Sequence, residues 1–182
     1  MTRIPLLERD QMDANQQIIL DRITNKGGRI GFGPAIGYAY SAEVWRLHNE
    51  SSAHLLDCTL TNAQVRIISL MTVRHWKASY PWSAQAKTAM GAGLDIAIIE
   101  AINADTQPEF AKDDDAAVYD VTKELLTTGN IAEHNFNVAV NTLGHKRLVE
   151  LIHTIGHFCT TALMANAVGV TSPEDAVSQL KG

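Results

Sequence analysis

The chain has 182 residues, of which 46% are hydrophobic, so it is long enough and apolar enough to bury the core of one domain. Its formal net charge of -5 is spread along the sequence with no dense basic run, which argues against nucleic acid and anionic membranes as partners. The first residues lack the apolar stretch of a signal peptide, and no run approaches the roughly 18 apolar residues of a membrane span, so we expect a cytoplasmic protein.

Helix start and stop signals recur along the whole chain, whereas long alternating runs of β-branched and polar residues are missing. We therefore predict one all-α domain of about eight helices, spanning residues 1–182. The first helix covers about Asp10 to Thr24 and ends at Gly27-Gly28. An irregular, glycine-rich segment follows from Arg29 to Tyr40, and Ser41 is the predicted N-cap of the second helix.

The third predicted helix has the clearest signals. Thr61 and Gln64 have the spacing of a capping box, and the helix that they open is apolar over so wide an arc that we expect it at the centre of the core. It ends near Lys77. Pro81 tolerates the first turn of a helix, which favours a fourth helix over about Tyr80 to Ala92. We expect these two helices to pack as an antiparallel pair.

Caps and glycines also mark the second half of the chain. Asp95 is the predicted cap of a short fifth helix to about Ala104, and the run Asp113-Asp114-Asp115 suits the positive N-terminal end of a sixth. The remaining predicted helices run from Asn130 and Glu133 to Gly144, from His145 to Val168, and from Ser172-Pro173-Glu174-Asp175 over a short terminal segment.

Polar and aromatic residues gather where the third predicted helix ends and the fourth begins. A helix N-terminus offers free N–H groups and the positive end of its dipole, which suits a carboxylate or a developing enolate. Trp82 and Gln85 lie one turn apart on one face, where they can line a pocket together with Tyr80. In such a pocket His75 or Tyr80 would move protons, and Gln85 would donate a hydrogen bond. A purely structural role also fits, with Trp82 in the core, Pro81 starting the helix and His75 at the surface.

A second group of polar residues lies on the long helix after Gly144. Glu150, His153 and His157 stand at i, i+3 and i+7, so all three can face one way. Two histidines and one carboxylate bind zinc or iron in many enzymes, which makes this set a candidate metal site. Alternatively, the helix carries these groups toward a subunit interface, or His153 and His157 add imidazoles to the substrate pocket. Four other histidines stand alone in the sequence and are interpreted as surface or capping residues: His48, His54, His134 and His145.

A series of short segments adds to these signals through its order and spacing. The segments are Gly27-Gly28, Phe32-Gly33-Pro34, Leu60 to Val73, Tyr80-Pro81-Trp82, Gly91-Ala92-Gly93-Leu94, Arg147 to Leu151 and Asn166 to Val170. In this order they resemble the carboxymuconolactone decarboxylase family of the alkylhydroperoxidase D-like superfamily. The resemblance covers most of the chain from about Gly27 to Val170 and implies the helical fold of that superfamily.

The site residues depart from the pattern of that family. Decarboxylase-like members commonly read Tyr-Glu-Trp followed three positions later by His, whereas here Pro81 replaces the glutamate and Gln85 replaces the histidine. Proline cannot move a proton, and an amide does not titrate near neutrality. The resemblance therefore implies the pocket but not its usual acid–base pair.

The superfamily's cysteine pair is missing as well. Peroxidase members carry CxxC at this helix start, and here Ser79 and Trp82 occupy the two cysteine positions. The only cysteines, Cys58 and Cys159, lie far apart in the sequence, and we expect both to be reduced thiols. We predict that the chain does not reduce peroxides through a cysteine pair.

The pocket residues and the resemblance together predict a decarboxylase-like enzyme with a rewired acid–base site that works without a cofactor. Its substrate is expected to be a small organic acid, lactone or related metabolite that is anionic or contains a carbonyl, and lyase, isomerase and hydrolase chemistry all fit. The helix start from Tyr80 to Ser83 would receive the anionic group, Gln85 would polarise a carbonyl, and His75 or Tyr80 would move the proton. Predicted binding residues are Trp82, Ser83, His153 and His157. The alternatives are a non-catalytic small-molecule-binding protein and a metal-dependent enzyme that uses Glu150, His153 and His157.

The long helix also bears on assembly. From His145 to Val168 it is apolar on most of its circumference, and one small domain rarely buries such a helix alone. We predict a homo-oligomer, and the family resemblance implies a trimer or a hexamer.

Overall fold

A computed structural model describes residues 2–25 and 33–182 of the chain. In these ranges the chain forms helices and no strands, which confirms the predicted all-α fold. The predicted helix end at Gly27-Gly28, and Phe32 of the family resemblance, lie outside the described residues. The helices are α1 (Ala14–Asn25), α2 (Ala35–Tyr38), α3 (Ala42–Leu55), α4 (Asn62–His75), α5 (Ser79–Gly91), α6 (Ile96–Ala104), α7 (Asp113–Thr128) and α8 (Glu133–Val168), with a 3-10 turn at Arg9–Gln11 before α1.

Side-chain caps start several of these helices where the sequence places them. The Ser41 hydroxyl accepts a hydrogen bond from a backbone N–H in the first turn of α3, and the Asp95 carboxylate does the same in α6. Thr61 and Gln64 form both hydrogen bonds of a capping box at the start of α4. These three predicted helix starts are confirmed.

Three predictions about helices are wrong. Ala35–Tyr38, inside the segment predicted to be irregular, forms the short helix α2. Asn130 does not cap α8, because its side chain accepts a hydrogen bond from the N–H of Ile131, and the helix begins at Glu133 without a side-chain cap. Residues 172–175 do not open a terminal helix. Instead, Asn103 on α6 donates a hydrogen bond to one backbone carbonyl of the C-terminal tail and accepts one from a backbone N–H. This pairing satisfies two polar backbone groups of the tail without a helix.

Helix α4 lies at the centre of the core, as predicted. It packs against α5, α6, α7 and α8, and the side chains of Ile67, Ile68 and Leu70 are completely buried. Residues 76–78 connect α4 to α5 in a tight turn. Arg66 in the first half of α4 donates a hydrogen bond to Gln85 in the middle of α5. A contact between residues this far on either side of the turn is expected when the two helices run antiparallel.

Helix α8 contains a break at Gly144, where the backbone has φ 77° and ψ 161°. The two segments on either side correspond to the two helices predicted on either side of Gly144. Among the described residues α8 is the one helix long and apolar enough to cross a membrane, judged by length and composition. It packs against α4 and α7 in the core, yet only 44% of its most apolar stretch is buried. Much of its apolar surface therefore faces outward.

A smaller apolar cluster holds α3 against α8. It joins buried residues of α1, α2 and α3, including Leu20, Tyr38 and Trp45, with Met164 of α8 packed against it. Gly37 of α2 lies so close to α8 that an added Cβ would clash with the Met164 sulfur. This close packing positions the α3 side chains beside those of α8.

Candidate functional site

The residues predicted around the start of α5 do not share one cavity. Trp82 is 0% exposed, and its indole N–H donates to the Ser178 hydroxyl at 3.2 Å, so Trp82 belongs to the core. Tyr80 and Ser83 line an open groove of about 430 Å³ between α5 and the C-terminal tail. The Ser83 hydroxyl donates to the backbone carbonyl of Tyr80 at 2.9 Å.

Gln85 and His75 lie apart from that groove. The side-chain carbonyl of Gln85 accepts a hydrogen bond from Nη1 of Arg66 at 2.7 Å. His75 is exposed at the end of α4 and lines a different hollow, of about 200 Å³, together with Tyr119 and other residues of α7. The expected common pocket is therefore corrected, because α5 buries Trp82 on its inner face and turns Gln85 toward α4. The catalytic roles suggested for these residues stay predictions.

The described residues do not assemble the candidate metal set on α8. The Glu150 carboxylate accepts hydrogen bonds from the backbone N–H of Thr59, at 2.8 Å, and from the Thr59 hydroxyl. Burial works to raise the pKa of Glu150, but these hydrogen bonds and the charges of Lys146 and His54 outweigh it and lower the pKa. Across residues 2–25 and 33–182, no three histidine, cysteine or acidic side chains are placed to hold a metal ion.

His153 and His157 do come together, in a cleft between α3 and α8. The cleft has a volume of about 340 Å³. Because the two histidines are four residues apart on a helix, their rings lie on the same face and meet the polar face of α3. The cleft is lined by Tyr38, Val44, Leu47, His48, Ser51, His153, Gly156, His157 and Thr160. We call it the histidine cleft.

A chain of hydrogen bonds runs through the histidine cleft. The Ser51 hydroxyl lies 2.9 Å from Nδ1 of His157 and 3.0 Å from Nε2 of His153. The Ser52 hydroxyl lies 3.4 Å from Nε2 of His157. A hydroxyl has one proton, so Ser51 can donate to one imidazole while it accepts from the N–H of the other. The four side chains thus form a continuous path for hydrogen bonding.

Stacked aromatic rings cover one side of this chain. The ring of His48 stacks between Tyr38, with centroids 4.0 Å apart, and His157, with centroids 4.5 Å apart. Burial lowers the pKa of His48 to about 4. Burial, together with the nearby His48 and His153, lowers the pKa of His157 to about 3. Both rings are therefore neutral at pH 7, with one nitrogen as donor and the other as acceptor.

Tyr38 lines the cleft, and its hydroxyl is buried. Burial raises the pKa of Tyr38 to about 12, and the nearby Thr161 hydroxyl moderates this rise. The Thr161 hydroxyl itself donates to the backbone carbonyl of His157 at 2.9 Å. The Tyr38 hydroxyl oxygen is left without a hydrogen-bond partner of good geometry among the described residues. It is a neutral donor in need of an acceptor.

Sequence reasoning missed four residues in or beside the cleft. His48 is predicted at the surface or in a cap, and Tyr38, Ser51 and Ser52 are not among the predicted site residues. The available signal for the three on α3 is their spacing, since positions 48, 51 and 52 form one face of this helix. The sequence alone gives no reason to place this face against His153 and His157, because the packing of α3 on α8 depends on contacts distant in sequence.

Comparison with known proteins agrees with the fold. The chain is similar to a crystal structure described as the alkylhydroperoxidase AhpD core of an uncharacterized peroxidase-related protein from Ralstonia eutropha JMP134. The TM-score is 0.75 at 15% identity, over 96% of this chain and 93% of that chain. The chain therefore has the all-α alkylhydroperoxidase D-like fold. No family model matches the sequence, and no curated protein is significantly similar to it. The narrower resemblance to carboxymuconolactone decarboxylases stays a prediction.

Proposed function

We propose that the chain is a cofactor-independent enzyme of alkylhydroperoxidase D-like fold that transfers a proton on a small carbonyl compound bound in the histidine cleft. The observation that supports this proposal is the position of the Ser51 hydroxyl, which lies within hydrogen-bond distance of two imidazoles. A hydroxyl between two histidines is an arrangement that general acid–base catalysis can use. The proposal keeps the substrate class expected from the sequence and moves the chemistry from α5 to the α3–α8 cleft.

The hydrogen-bond chain has a preferred direction. His157 is neutral and only weakly basic, so it is best suited to donate from Nδ1 to the Ser51 oxygen, while Nε2 accepts from Ser52. Ser51 then donates its own proton to Nε2 of His153. His153 is exposed, so the proton that it receives can pass on to water.

The catalytic step follows from this direction. As Ser51 passes its proton to His153, its oxygen takes the acidic α-proton of the carbonyl substrate, and the two C–H electrons remain on the substrate as an enolate. The Tyr38 hydroxyl, which stays protonated because of its raised pKa, is the candidate donor to the enolate oxygen. Return of the proton at another carbon completes an isomerisation. In a β-keto acid the carbon–carbon bond to the carboxylate breaks in place of the C–H bond, so carbon dioxide leaves and the two bond electrons form the enolate. A proton delivered from water through His153 and Ser51 to the α-carbon then completes a decarboxylation.

Deuterium exchange tests this function. Oxaloacetate, acetoacetate and a butenolide lactone are incubated with the protein in D₂O, and incorporation at the α-carbon is followed by NMR. We expect exchange or turnover of at least one probe, and Ser51→Ala should slow it about a hundredfold, within the usual range for general acid–base catalysis.

Two control variants sharpen the test. Ser52→Ala keeps both bonds of Ser51 and should slow the reaction less than about tenfold. The double variant Cys58→Ser, Cys159→Ser should keep full activity. Equal rates for the wild type and Ser51→Ala would exclude the proposed role. Tight binding of a probe without any exchange would indicate a binding protein, and cysteine-dependent peroxide turnover would indicate a peroxidase.

A further inference from the structure

Arg66 of α4 is a buried cation without a carboxylate partner. It is 8% exposed, its Nε donates to the side-chain oxygen of Asn62 at 3.2 Å, and its Nη1 donates to Gln85 at 2.7 Å. Within residues 2–25 and 33–182, no aspartate or glutamate forms an ion pair with it. Residues 1 and 26–32 include no acidic side chain in the sequence. The chain therefore offers no counter-ion for this guanidinium.

The other arginines that are partly buried are paired. Arg46 contacts two glutamates of α3, Arg147 contacts Asp114 at 2.8 Å, and Arg74 lies 3.7 Å from Asp105. A guanidinium stays charged at any ordinary pH, and removing it from water without a counter-ion is costly. Arg66 thus departs from the pattern of this protein, at a position where an anion would be favourable.

The side chains around Arg66 present donors and no free acceptor. Because the Gln85 oxygen faces Arg66, its amide N–H₂ group points away and has no partner among the described residues. Asn62 is oriented in the same way, because its side-chain oxygen accepts from Nε of Arg66 and its N–H₂ group points away. Nη2 of Arg66 and the second hydrogen of Nη1 are also unpaired in the described part of the chain. Asn62 is exposed and Gln85 half-buried, so the guanidinium lies between two side chains that reach the surface.

We propose that Arg66, Gln85 and Asn62 bind the carboxylate group of a small organic anion. The Nη1 and Nη2 edge of a guanidinium matches the two oxygens of a carboxylate, and the amide of Gln85 supplies a further donor. In this site Gln85 orients Arg66 through its oxygen. The inference is independent of the proposed chemistry in the histidine cleft, since none of these residues lines that cleft.

Titration with acetate, followed by NMR of side-chain N–H signals, tests the proposal. Acetate should shift the signals of Gln85 and Arg66 and raise the melting temperature, whereas the neutral isostere acetamide should do neither. Arg66→Gln should weaken acetate binding by about tenfold or more, because a hydrogen-bonded charge is lost. Arg74→Gln, which removes a paired arginine from the same helix, should leave binding unchanged.

A second variant tests the site even if Arg66→Gln fails to fold. Gln85→Glu places a carboxylate beside Arg66 with almost no change of shape, so it should abolish acetate binding and raise the melting temperature. Undiminished acetate binding in Arg66→Gln or Gln85→Glu would overturn the proposal. A wild-type protein that binds no acetate would also overturn it. An Arg66→Gln variant that dissociates into monomers would do so as well, because Arg66 would then pair with a second copy of the chain.

Discussion

Single side chains in the histidine cleft are controlled by the residues packed around them. The His48 and His157 rings stack on each other and are half-buried, and this burial makes their charged forms unfavourable. An imidazole that stays neutral keeps a fixed pattern of one donor and one acceptor. The cleft therefore holds its hydrogen-bond chain in a defined state at neutral pH.

The lowered pKa values predict how stability depends on pH. In the unfolded chain the two imidazoles bind protons near pH 6.5, whereas in the folded chain they do so only near pH 4 and 3. Between these values the unfolded state binds more protons, so the free energy of unfolding falls as pH decreases from about 6.5 toward 4. Each ring contributes at most about 1.4 kcal/mol per pH unit. Urea unfolding at several pH values measures this slope.

Matched histidine variants identify the source of the slope. His157→Asn should flatten the dependence on pH, because one of the two groups is removed. His134→Asn is the control, since His134 is exposed on α8 and meets water in both states. An equal slope in the wild type and in His157→Asn would show that His157 gains protons as readily in the folded chain as in the unfolded one.

The sequence identifies unusual side chains better than it identifies their partners. Gln85 is unusual in sequence because an amide stands in place of the expected histidine, but nothing local indicates that its partner is Arg66 on the preceding helix. Trp82 was expected in a pocket, and the Ser178 hydroxyl of the C-terminal tail receives its N–H instead. Such contacts follow from packing between distant segments, which local spacing does not determine.

At the scale of helices, local signals were sufficient where the hydrogen bonds are local. The caps at Ser41, Thr61 and Asp95 bond to backbone groups within their own first turn, so sequence spacing alone locates them. The C-terminal tail is not helical, and the backbone groups of Gln179 and Lys181 bond to Asn103 on α6, a partner distant in the sequence. A helix boundary can therefore be predicted from sequence when its capping partner lies within the same turn, and it is harder to predict when the partner is distant in the sequence.

The break in α8 gives a prediction at this scale. Gly144 has φ 77° and ψ 161°, a conformation that is essentially restricted to glycine, and an added Cβ would meet no atom within 4 Å. Gly144→Ala should thus cost about 1 to 3 kcal/mol through backbone strain alone. Gly91→Ala is the control, because Gly91 is helical with an equally open surrounding and should gain about 0.5 kcal/mol. Urea unfolding measures both, and an unchanged stability in Gly144→Ala would mean that the helix runs straight.

At the scale of the whole molecule, the outer face of α8 is an apolar surface that the described chain leaves uncovered. Val149 is 65% exposed, Ile152 49% and Leu163 46%, and they share this face with Gly156. His153 lies directly beside Ile152 on the same face. A surface that covered these side chains would also narrow the mouth of the histidine cleft, which connects assembly with the proposed chemistry.

We predict that a second copy of the chain covers this face. Contiguous apolar surface on a soluble protein usually marks an interface, and most oligomers of soluble proteins are symmetric assemblies of identical chains. Light scattering at micromolar concentration should give the mass of an oligomer, and Ile152→Glu should reduce it to that of a monomer, because a carboxylate would lose water in the interface without a partner. Val177→Glu, at a 56% exposed position in the C-terminal tail, should leave the mass unchanged.

A wild-type monomer would contradict the prediction, and an oligomer that Ile152→Glu leaves intact would place the interface on another face. If the interface does cover His153, the monomeric variant should also show weaker proton exchange on the probe substrates, since its cleft would stay open to water.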